Sequence, residues 1–472
     1  MAPSSGSSSD TGRRGTPQWR SALTMHRRGR WAIAFAVSVA GALVAMALTA
    51  VVNAPQVSAR PGGGAAGQVQ GNNADLVSQG QQTFRFDTFG DEAFWGGTLH
   101  LHLTIAGGKN GGIGPGLSPK EALALGLKVD VDALPASVQQ GILNGTVNLD
   151  DPATTLALLK LNAVVGVKGF FDSNGNLNSV GIECALCHST VDNSLAPGIG
   201  HRLDGWANRD LNVGGIIGFA PNLKPIADLL HVNVPTVLKV LNAWGPGKFD
   251  AELLLDGKGF QPNGTSAASL IPPAFGLAGV NLHTYTGWGS IPYWNAFVAV
   301  LEMHGQGTFF DPRIDNAAQF PIAAENHFGH VVANPDLVTP ALPGLQAYQL
   351  SLRAPAPPAG SFDPAAAARG KALFDGPAEC STCHVPPIFT APGQNLVPPS
   401  AIGIDSFDAD RSPTHMYRIT PLAGLWTHQK GGFYHDGRFP TLLAVVQHYD
   451  EVFHLGLTPA EENDLMQYLL SI

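Results

Sequence analysis

The chain has 472 residues, a length suited to two or three domains after an N-terminal leader. It carries 27 Lys and Arg against 36 Asp and Glu, a net charge of −9. Residues 1–59 contain six Arg and one Asp, so the rest holds 21 Lys and Arg against 35 Asp and Glu, or −14. This acidic body argues against nucleic-acid binding, which requires a basic surface. It is compatible with docking a basic redox partner or with acidic solubility alone.

The N-terminus is typical of an export signal. Arg27, Arg28 and Arg30 precede an apolar run of 22 residues, 31–52, followed by small residues up to Ala59. The run is also long enough to span a bilayer, with its positive end in the cytoplasm. Segment 1–59 is therefore predicted to be either a cleaved signal or an inner-membrane anchor. In both cases the protein is exported, to the periplasm or another extracytoplasmic compartment.

Several local elements are predicted after the leader. Residues 60–80 are rich in Gly, Gln and Asn, which indicates a linker. Alternating apolar residues from Leu99 to Leu103 favour a short strand or hairpin, which would make the N-terminal extension part β. Ser118 followed by Pro119 and Glu121 forms a capping box, so a helix is expected to begin there.

Two five-residue motifs, 184–188 and 380–384, use all four cysteines of the chain. Each has the form Cys-x-x-Cys-His, the attachment signal of a c-type haem. The two thiols form thioethers to one porphyrin, and the adjoining histidine becomes the proximal iron ligand. Half of a zinc site and a redox dithiol are the alternatives. Because the whole pattern occurs twice with no cysteine left over, we expect two covalently bound haem c groups. Their attachment residues are Cys184, Cys187, Cys380 and Cys383, and their proximal ligands are His188 and His384.

The predicted fold class is mainly α, with two cytochrome c-like haem domains, long irregular loops and an N-terminal extension of uncertain structure. An N-terminal haem domain with extra elements would cover 81–345. A Pro-rich linker would cover 346–362, and a C-terminal cytochrome c domain 363–472. Asp363 is expected to cap the first helix of that last domain, and Thr458 with Glu461 to cap the final helix.

Short segments of the chain resemble the bacterial di-haem cytochrome c peroxidase and MauG family, whose wider membership includes di-haem rubber oxygenases. Within 363–472 the resemblance is dense. It rests on the segments 370–374, 417–422, 435–439 and 455–458. Around the first motif it is thinner and rests on Ile199-Gly200-His201. The proximal histidines lie 196 residues apart, farther than in simple family members, which indicates an insertion between the two sites.

The resemblance implies that the first haem is the reactive one. His201, thirteen residues past His188, would be its removable distal ligand, with a surface or propionate-binding histidine as the alternative. Cleavage of peroxide also needs an acid–base group above the iron. Glu302 is the candidate by position and His304 the second choice, although a plain helix-face glutamate is the simpler interpretation.

The second haem is expected to transfer electrons with six ligands. In the family its distal ligand lies fourteen residues past the histidine of the His-Asp-Gly segment, as Met in peroxidases and Tyr in MauG-type enzymes. Here that position is Tyr449. Met416, on simple cytochrome c spacing, and His448 are rival ligands, and a packed tyrosine is the remaining alternative. His435 is expected near the haem edge without binding iron.

Three functions remain open from the sequence. The first is reduction of hydrogen peroxide with electrons from a small cytochrome c or cupredoxin. The second is a MauG-like or rubber-oxygenase-like oxidase or oxygenase that uses peroxide or dioxygen on a larger substrate. The third is a non-catalytic di-haem electron carrier. The family also has a calcium ion between its domains, for which Asn208 and Asp210 are the candidate ligands here.

Overall fold

The structure, a computed structural model, describes residues 65–391, 395–428 and 430–472. The chain divides into two units, Met1–Gln68 and Val69–Ile472, and the second contains the features discussed below apart from the start of the first helix. The predicted signal or anchor, 1–59, lies outside the described residues. Within the described ranges, no helix combines the length and apolar character needed to cross a membrane.

The described chain is mainly α-helical, as predicted. Its α-helices are Ala65–Phe86, Leu101–Ala106, Pro119–Ala124, Ala136–Leu143, Pro152–Lys160, Ala185–His188, Val213–Gly218, Lys224–Leu229, Val234–Trp244, Leu253–Asp256, Ile291–Phe297, Pro321–Glu325, Leu342–Ser351, Pro364–Asp375, Leu442–Phe453 and Pro459–Ser471. Two π-helical turns span Ala93–Thr98 and Val298–Glu302. Short 3₁₀ turns span Gly108–Asn110, Val131–Ala133, Pro312–Asp315, Thr339–Ala341, Cys380–Thr382, Pro399–Ile402, Ala409–Arg411 and Leu425–Thr427.

The strands are short and pair two by two. The parallel pair is Val129–Asp130 with Ile199–Gly200. The antiparallel pairs are Val167–Phe171 with Leu177–Ile182, Ser189–Val191 with Arg202–Asp204, Lys248–Phe249 with Ser269–Leu270, Phe309–Phe310 with His330–Val331, and Leu396–Val397 with Tyr417–Arg418. None of these pairs extends into a larger sheet, so helix packing and loops position the sites.

A helix occupies most of the segment 60–80 that composition indicates to be a linker. Its packing explains the difference. A Cβ placed on Gly80 would lie 1.9 Å from the carbonyl oxygen of Gly344, so the glycines allow two helices to approach closely. Phe84 is fully buried and its ring lies edge-on to Tyr348 at 5.4 Å. These tertiary contacts outweigh the weak helix propensity of the Gly and Asn residues.

The strand predicted at Leu99–Leu103 is wrong. A π-helical turn ends at Thr98, and an α-helix begins at Leu101. His100 between them has φ 57°, a left-handed conformation that reverses the chain direction. Leu99 and Leu101, on either side of His100, are both buried. A strand would show the same alternating burial, which is why the sequence pattern was misleading.

The predicted helix caps are confirmed. The Ser118 side chain accepts a hydrogen bond from the backbone N–H of Glu121 in a complete capping box. Thr458 and Glu461 form a second complete box at the final helix. Asp363 accepts from the backbone N–H groups at the start of helix Pro364–Asp375.

The C-terminal segment has a hydrophobic cluster of its own. Helices Pro364–Asp375 and Pro459–Ser471 pack closely, with Phe374 edge-on to Tyr468 at 5.2 Å. Two other clusters lie within residues 84–348. The third cluster lies wholly within the predicted domain 363–472, whose boundaries stay a prediction.

A buried ion-pair cluster joins the C-terminal segment to the preceding part of the unit. Arg411 has a fully buried side chain. Its Nε donates to Asp256 and its Nη2 lies beside Asp250, each at 2.8 Å. Removal of one partner from such a group leaves uncompensated buried charge, which costs about 3–5 kcal/mol.

We therefore expect Arg411→Met to lower the free energy of unfolding by about 3–5 kcal/mol. The exposed i,i+4 pair of Lys224 and Asp228 provides the control, because Lys224→Met should cost no more than about 0.5 kcal/mol. Denaturant unfolding of the purified protein, followed by circular dichroism, measures both. Equal midpoints for the two variants would contradict the structural role of Arg411.

Candidate functional site

A cavity of about 320 Å³ lies beside the first Cys-x-x-Cys-His motif. Its lining residues include Cys184, Cys187 and His188. Cys184 directly precedes the one-turn helix Ala185–His188, which contains the rest of the motif. Much of the wall is apolar and includes Phe94, Trp95, Val213, Ile217, Leu241 and Trp244. The last four come from helices between the two motifs, where the sequence indicates an insertion.

The hydrogen bond and the burial of His188 suit a metal ligand. Its Nδ1 lies 3.1 Å from the carbonyl oxygen of Pro272, which is hydrogen-bond distance. Burial lowers the pKa of His188 to about 4, so the ring is neutral at pH 7. A neutral imidazole whose Nδ1–H is held by a carbonyl can offer Nε2 to a metal ion.

The surroundings of the first motif differ from those expected of the two alternatives. Burial raises the pKa of Cys184 and of Cys187 to about 12, whereas a redox dithiol requires a lowered thiol pKa. In the described part of the chain, His, Cys, Asp and Glu form no group of three or more that could hold a metal ion, as a zinc site would need.

The polar groups of the cavity wall fit a haem. Arg418 and His283 both line the cavity, and Arg418 Nε and His283 Nδ1 are buried without a hydrogen-bond partner. Burial lowers the pKa of Arg418 to about 10. An unpaired buried cation is costly, and a carboxylate brought into the cavity would compensate it. Haem carries two such carboxylates, its propionates, on an otherwise apolar macrocycle.

Glu302 lies in the same cavity and supports the prediction of an acid–base group there. It is buried at the end of the π-helical turn Val298–Glu302, and its Oε1 has no hydrogen-bond partner. Burial raises the pKa of Glu302 well above its ordinary value, and the nearby charges of Glu252 and Asp250 add to this. The protonated form of this carboxyl is therefore favoured relative to that of an exposed glutamate. π-Helical turns occur frequently at functional sites.

His304, the second acid–base candidate, also lines the cavity. Its ring stacks on Phe94 with centroids 3.6 Å apart, and burial lowers its pKa to about 4. The ring is therefore neutral at pH 7, and His304 stays the second candidate.

His201 lies apart from this cavity. Its side chain is 57% exposed, and its Nδ1 lies 2.9 Å from Asp132 Oδ1. The contact with Asp132 is the main cause of its raised pKa. His201 is not among the residues that line the cavity. The placement fits the surface-histidine alternative and gives no support to the distal-ligand role, which stays a prediction.

Residues from the C-terminal segment complete the first cavity. Asp408 and Arg418 both line it, although they follow the second motif in sequence. Sequence reasoning did not assign either residue to this site. The segment 417–422 of the family resemblance contains Arg418, which was the only available signal. Glu252, a further cavity residue, was also missed and lies in no recognised motif.

The second motif repeats the histidine arrangement of the first. Cys380–Thr382 form a 3₁₀ turn, and His384 Nδ1 lies 3.0 Å from the carbonyl oxygen of Phe389. Burial lowers the pKa of His384. Cys383 is exposed, whereas both cysteines of the first motif are partly buried. One cysteine of the second motif is therefore more exposed than either cysteine of the first.

The structure brings Tyr449 close to the second motif. Burial raises the pKa of Tyr449, and the nearby Cys383 and Cys380 thiols raise it further. The ring stacks on Phe453 with a centroid separation of 5.6 Å. This proximity is compatible both with the predicted distal-ligand role of Tyr449 and with a packed tyrosine, so the ligand role stays a prediction.

The rival ligands have other environments. His448 Nε2 is 2.8 Å from the carbonyl oxygen of Ile402, so that nitrogen is engaged. Met416 is partly buried and directly precedes strand Tyr417–Arg418. His435 is buried and its ring stacks on Tyr417 at 5.1 Å. Its Nε2 lacks a partner, so a nearby haem edge could supply one.

Of the two candidate calcium ligands, Asp210 is occupied by protein groups. Asp210 accepts from Lys128 at 2.7 Å and also pairs with Lys430, and these lysines help to lower its pKa. Asn208 Nδ2 donates to the carbonyl oxygen of Gly126 at 2.9 Å, whereas its Oδ1, the atom that could bind a cation, is buried without a hydrogen-bond partner. A carboxylate already paired with two lysines is a poor cation ligand. The calcium site thus receives no support and stays untested.

Comparisons with known proteins give no family. No protein-family profile matches the chain, and no curated protein matches it. Among solved structures, the chain is similar to a chain of Kuenenia stuttgartiensis hydrazine synthase pressurised with 20 bar xenon. That likeness has 13% identity and a TM-score of 0.25, and it covers 49% of this chain and 92% of the other. A likeness this weak carries no argument about fold or function.

Proposed function

We propose that this protein is an extracytoplasmic di-haem c-type oxidoreductase that reduces hydrogen peroxide. The observation that carries the proposal is the cavity that both His188 and Glu302 line, where burial raises the pKa of the Glu302 carboxyl. A neutral imidazole supplies the proximal ligand, and a buried carboxyl supplies the acid–base group. A peroxide-cleaving site needs both.

Haem c attached at Cys184 and Cys187, with His188 as its proximal ligand, would supply the redox chemistry that reduces the O–O bond of peroxide. The contribution of the chain is proton movement. A protonated carboxyl has a donor O–H and an acceptor oxygen. Glu302 can therefore accept a proton from one peroxide oxygen while donating its own to the other, which leaves as water.

The second motif is proposed to be the entry point for electrons. The exposure of Cys383 supports this, because a haem attached there would lie near the surface. A small cytochrome c or cupredoxin is the proposed electron donor. The net charge of −14 outside residues 1–59 would attract a basic donor of this kind.

A MauG-like oxidase, or an oxygenase of the rubber-oxygenase type, is the second candidate function. The location of Tyr449 beside Cys380 and Cys383 favours it. A phenolate is an anionic ligand that stabilises ferric iron, so it would disfavour an ordinary electron-receiving haem. The substrate in that case would be larger than peroxide and would be oxidised with peroxide or dioxygen.

Spectroscopy of the purified, exported protein tests the proposed function. Electron paramagnetic resonance and absorption spectra are recorded for the oxidised and the half-reduced protein, before and after peroxide addition. The proposal expects a high-spin ferric signal that disappears with peroxide, and turnover of a reduced cytochrome. Two low-spin signals indifferent to peroxide would instead identify an electron carrier.

Glu302→Gln should slow the reaction with peroxide about 10²–10⁴-fold, because glutamine fills the same space but cannot exchange the proton. Stopped-flow absorption measures the rate, and the haem content confirms that the variant is assembled. Glu325→Gln, a change at an exposed residue, is the matched control. Rates within twofold of each other would remove Glu302 from the proposed mechanism.

Tyr449→Phe separates a ligand from a packed ring, because it deletes only the phenolic oxygen. If Tyr449 binds iron, the spectrum and reduction potential of the second haem must change, while the first haem is unaffected. Tyr434→Phe, at a neighbouring tyrosine whose ring centroid lies 6.3 Å from that of Tyr449, is the comparison variant. An unaltered second-haem spectrum in Tyr449→Phe would exclude ligation.

A further inference from the structure

Arg209 is a buried cation that lies outside the set of residues lining the first cavity. It is 9% exposed, and neither its Nε nor its Nη1 has a hydrogen-bond partner. No ion pair in the described part of the chain includes Arg209, and Asp210 beside it pairs with Lys128 and Lys430 instead. An unpaired buried guanidinium is costly, so an anion from outside the polypeptide would stabilise this site.

A second cation, Lys248, lies in the chain segment that packs against Arg209. A Cβ placed on Gly247 would lie only 2.9 Å from the Cα of Arg209. Lys248 is half-buried, and its Nζ donates to the backbone carbonyl of Asp436 at 2.8 Å. The Asp436 carboxylate is held by Arg438, whose Nε contacts both of its oxygens. Lys248 therefore adds a second positive charge that forms no ion pair within the described residues.

A glycine loop of the C-terminal segment covers Arg209. Gly431 has φ 80°, a conformation that favours glycine. A Cβ on Gly431 would lie 3.4 Å from Nη1 of Arg209 and 2.8 Å from a methyl carbon of Leu270. A Cβ on Gly437 would lie 2.1 Å from the carbonyl oxygen of Gly431. The loop backbone therefore approaches the guanidinium without an intervening side chain.

The same loop extends from Arg209 to the surroundings of the second motif. Phe433 and Cys380 both pack against the hydrophobic cluster within 363–472. His435, two residues after Phe433, is buried, and its Nε2 has no partner. A haem attached at the second motif would therefore lie close to the loop that covers Arg209.

We propose that Arg209, assisted by Lys248, binds a propionate of the haem attached at Cys380 and Cys383. This inference rests on the second haem of the proposed function and adds the residues that hold one of its carboxylates. A guanidinium has only donor groups, so both unpartnered nitrogens of Arg209 can donate to carboxylate oxygens.

The first haem is the other source of such a carboxylate. Asn208 donates its backbone N–H to the carbonyl oxygen of Cys187 at 2.9 Å, so the first motif is also near. Arg418 and His283, however, already present unpartnered nitrogens to the first cavity, whereas Arg209 does not line it. We therefore assign Arg209 to the second haem, and the experiment below distinguishes the two sources.

Redox titration of the haem-loaded protein, with the two haems separated by electron paramagnetic resonance, tests the site without measuring turnover. Ferric haem carries one more positive charge than ferrous haem, so a propionate without its cation should stabilise the ferric form. In Arg209→Gln we expect the reduction equilibrium of the second haem to shift about tenfold towards the ferric form, or about 59 mV. Arg209→Lys retains the charge and should restore most of the shift.

Arg369→Gln is the matched control, since Arg369 also lies in the C-terminal segment and its side chain is 62% exposed. Water and salt screen an exposed charge, so neither haem should shift by more than about twofold. If Arg209→Gln contains fewer than two haems, Lys248→Gln is the second variant, and the second haem should shift in the same direction.

Infrared difference spectra provide a direct readout of the carboxylate. Protein whose haem propionates carry carbon-13 identifies their carboxylate bands, and one band of the second haem should shift in Arg209→Gln but not in Arg369→Gln. An unchanged second-haem potential, a shift confined to the first haem, or a potential shift without a shift of the labelled band would overturn the inference. For Lys248→Gln the same outcomes apply.

A parallel peroxide assay separates this inference from the proposed function. A shifted second haem in a protein that does not react with peroxide would support the site and overturn the function. Reaction with peroxide in a protein whose second haem is indifferent to Arg209→Gln would overturn the site alone. Absence of haem from Cys380 and Cys383 would overturn both.

Discussion

Burying a charged or polar group without a partner costs free energy, and this cost is the main constraint on the region around the first Cys-x-x-Cys-His motif. Arg418 and His283 present buried nitrogen atoms without partners to an apolar cavity, and Glu302 presents an unpaired carboxyl oxygen to the same space. A protein interior tolerates such groups when a bound group or a retained proton compensates them. Our proposal assigns the compensation of Arg418 to haem propionates and that of Glu302 to its own proton. In this proposal, haem binding and proton transfer both depend on the free-energy cost of burying a group without a partner.

The two motifs are proposed to serve different tasks because their surroundings differ. The first borders a largely apolar cavity lined partly by helices between the motifs, and Asp408 and Arg418 of the C-terminal segment also line it. The second has an exposed cysteine and a nearby tyrosine. A protected iron with one open position suits peroxide chemistry, whereas an iron near the surface suits electron entry. The buried contacts of Arg411 tie the segment that completes the first site to the rest of the unit.

Contacts between residues close in the sequence were predictable, whereas contacts between residues far apart in the sequence were not. The capping boxes at Ser118 and Thr458 depend on residues three apart, and both are present. The strand at Leu99–Leu103 was wrong because one left-handed residue can imitate alternating burial. Arg411 meets Asp256 across 155 residues, and no spacing in the sequence signals that contact. Glu302 was found by its position relative to a resemblance, while its neighbour Glu252 became visible only when the fold brought the two acids to one cavity.

The central claim is that both motifs carry covalent haem, and thiol labelling with haem quantification tests it directly. The exported protein is denatured, treated with an alkylating reagent and weighed intact by mass spectrometry, while a pyridine haemochrome assay counts its haem. Our account predicts two haems per chain and no alkylated cysteine. A variant in which Cys184 and Cys187 are both replaced by alanine should retain one haem, on Cys380 and Cys383. Alkylation of all four cysteines in a protein without bound haem would contradict the account.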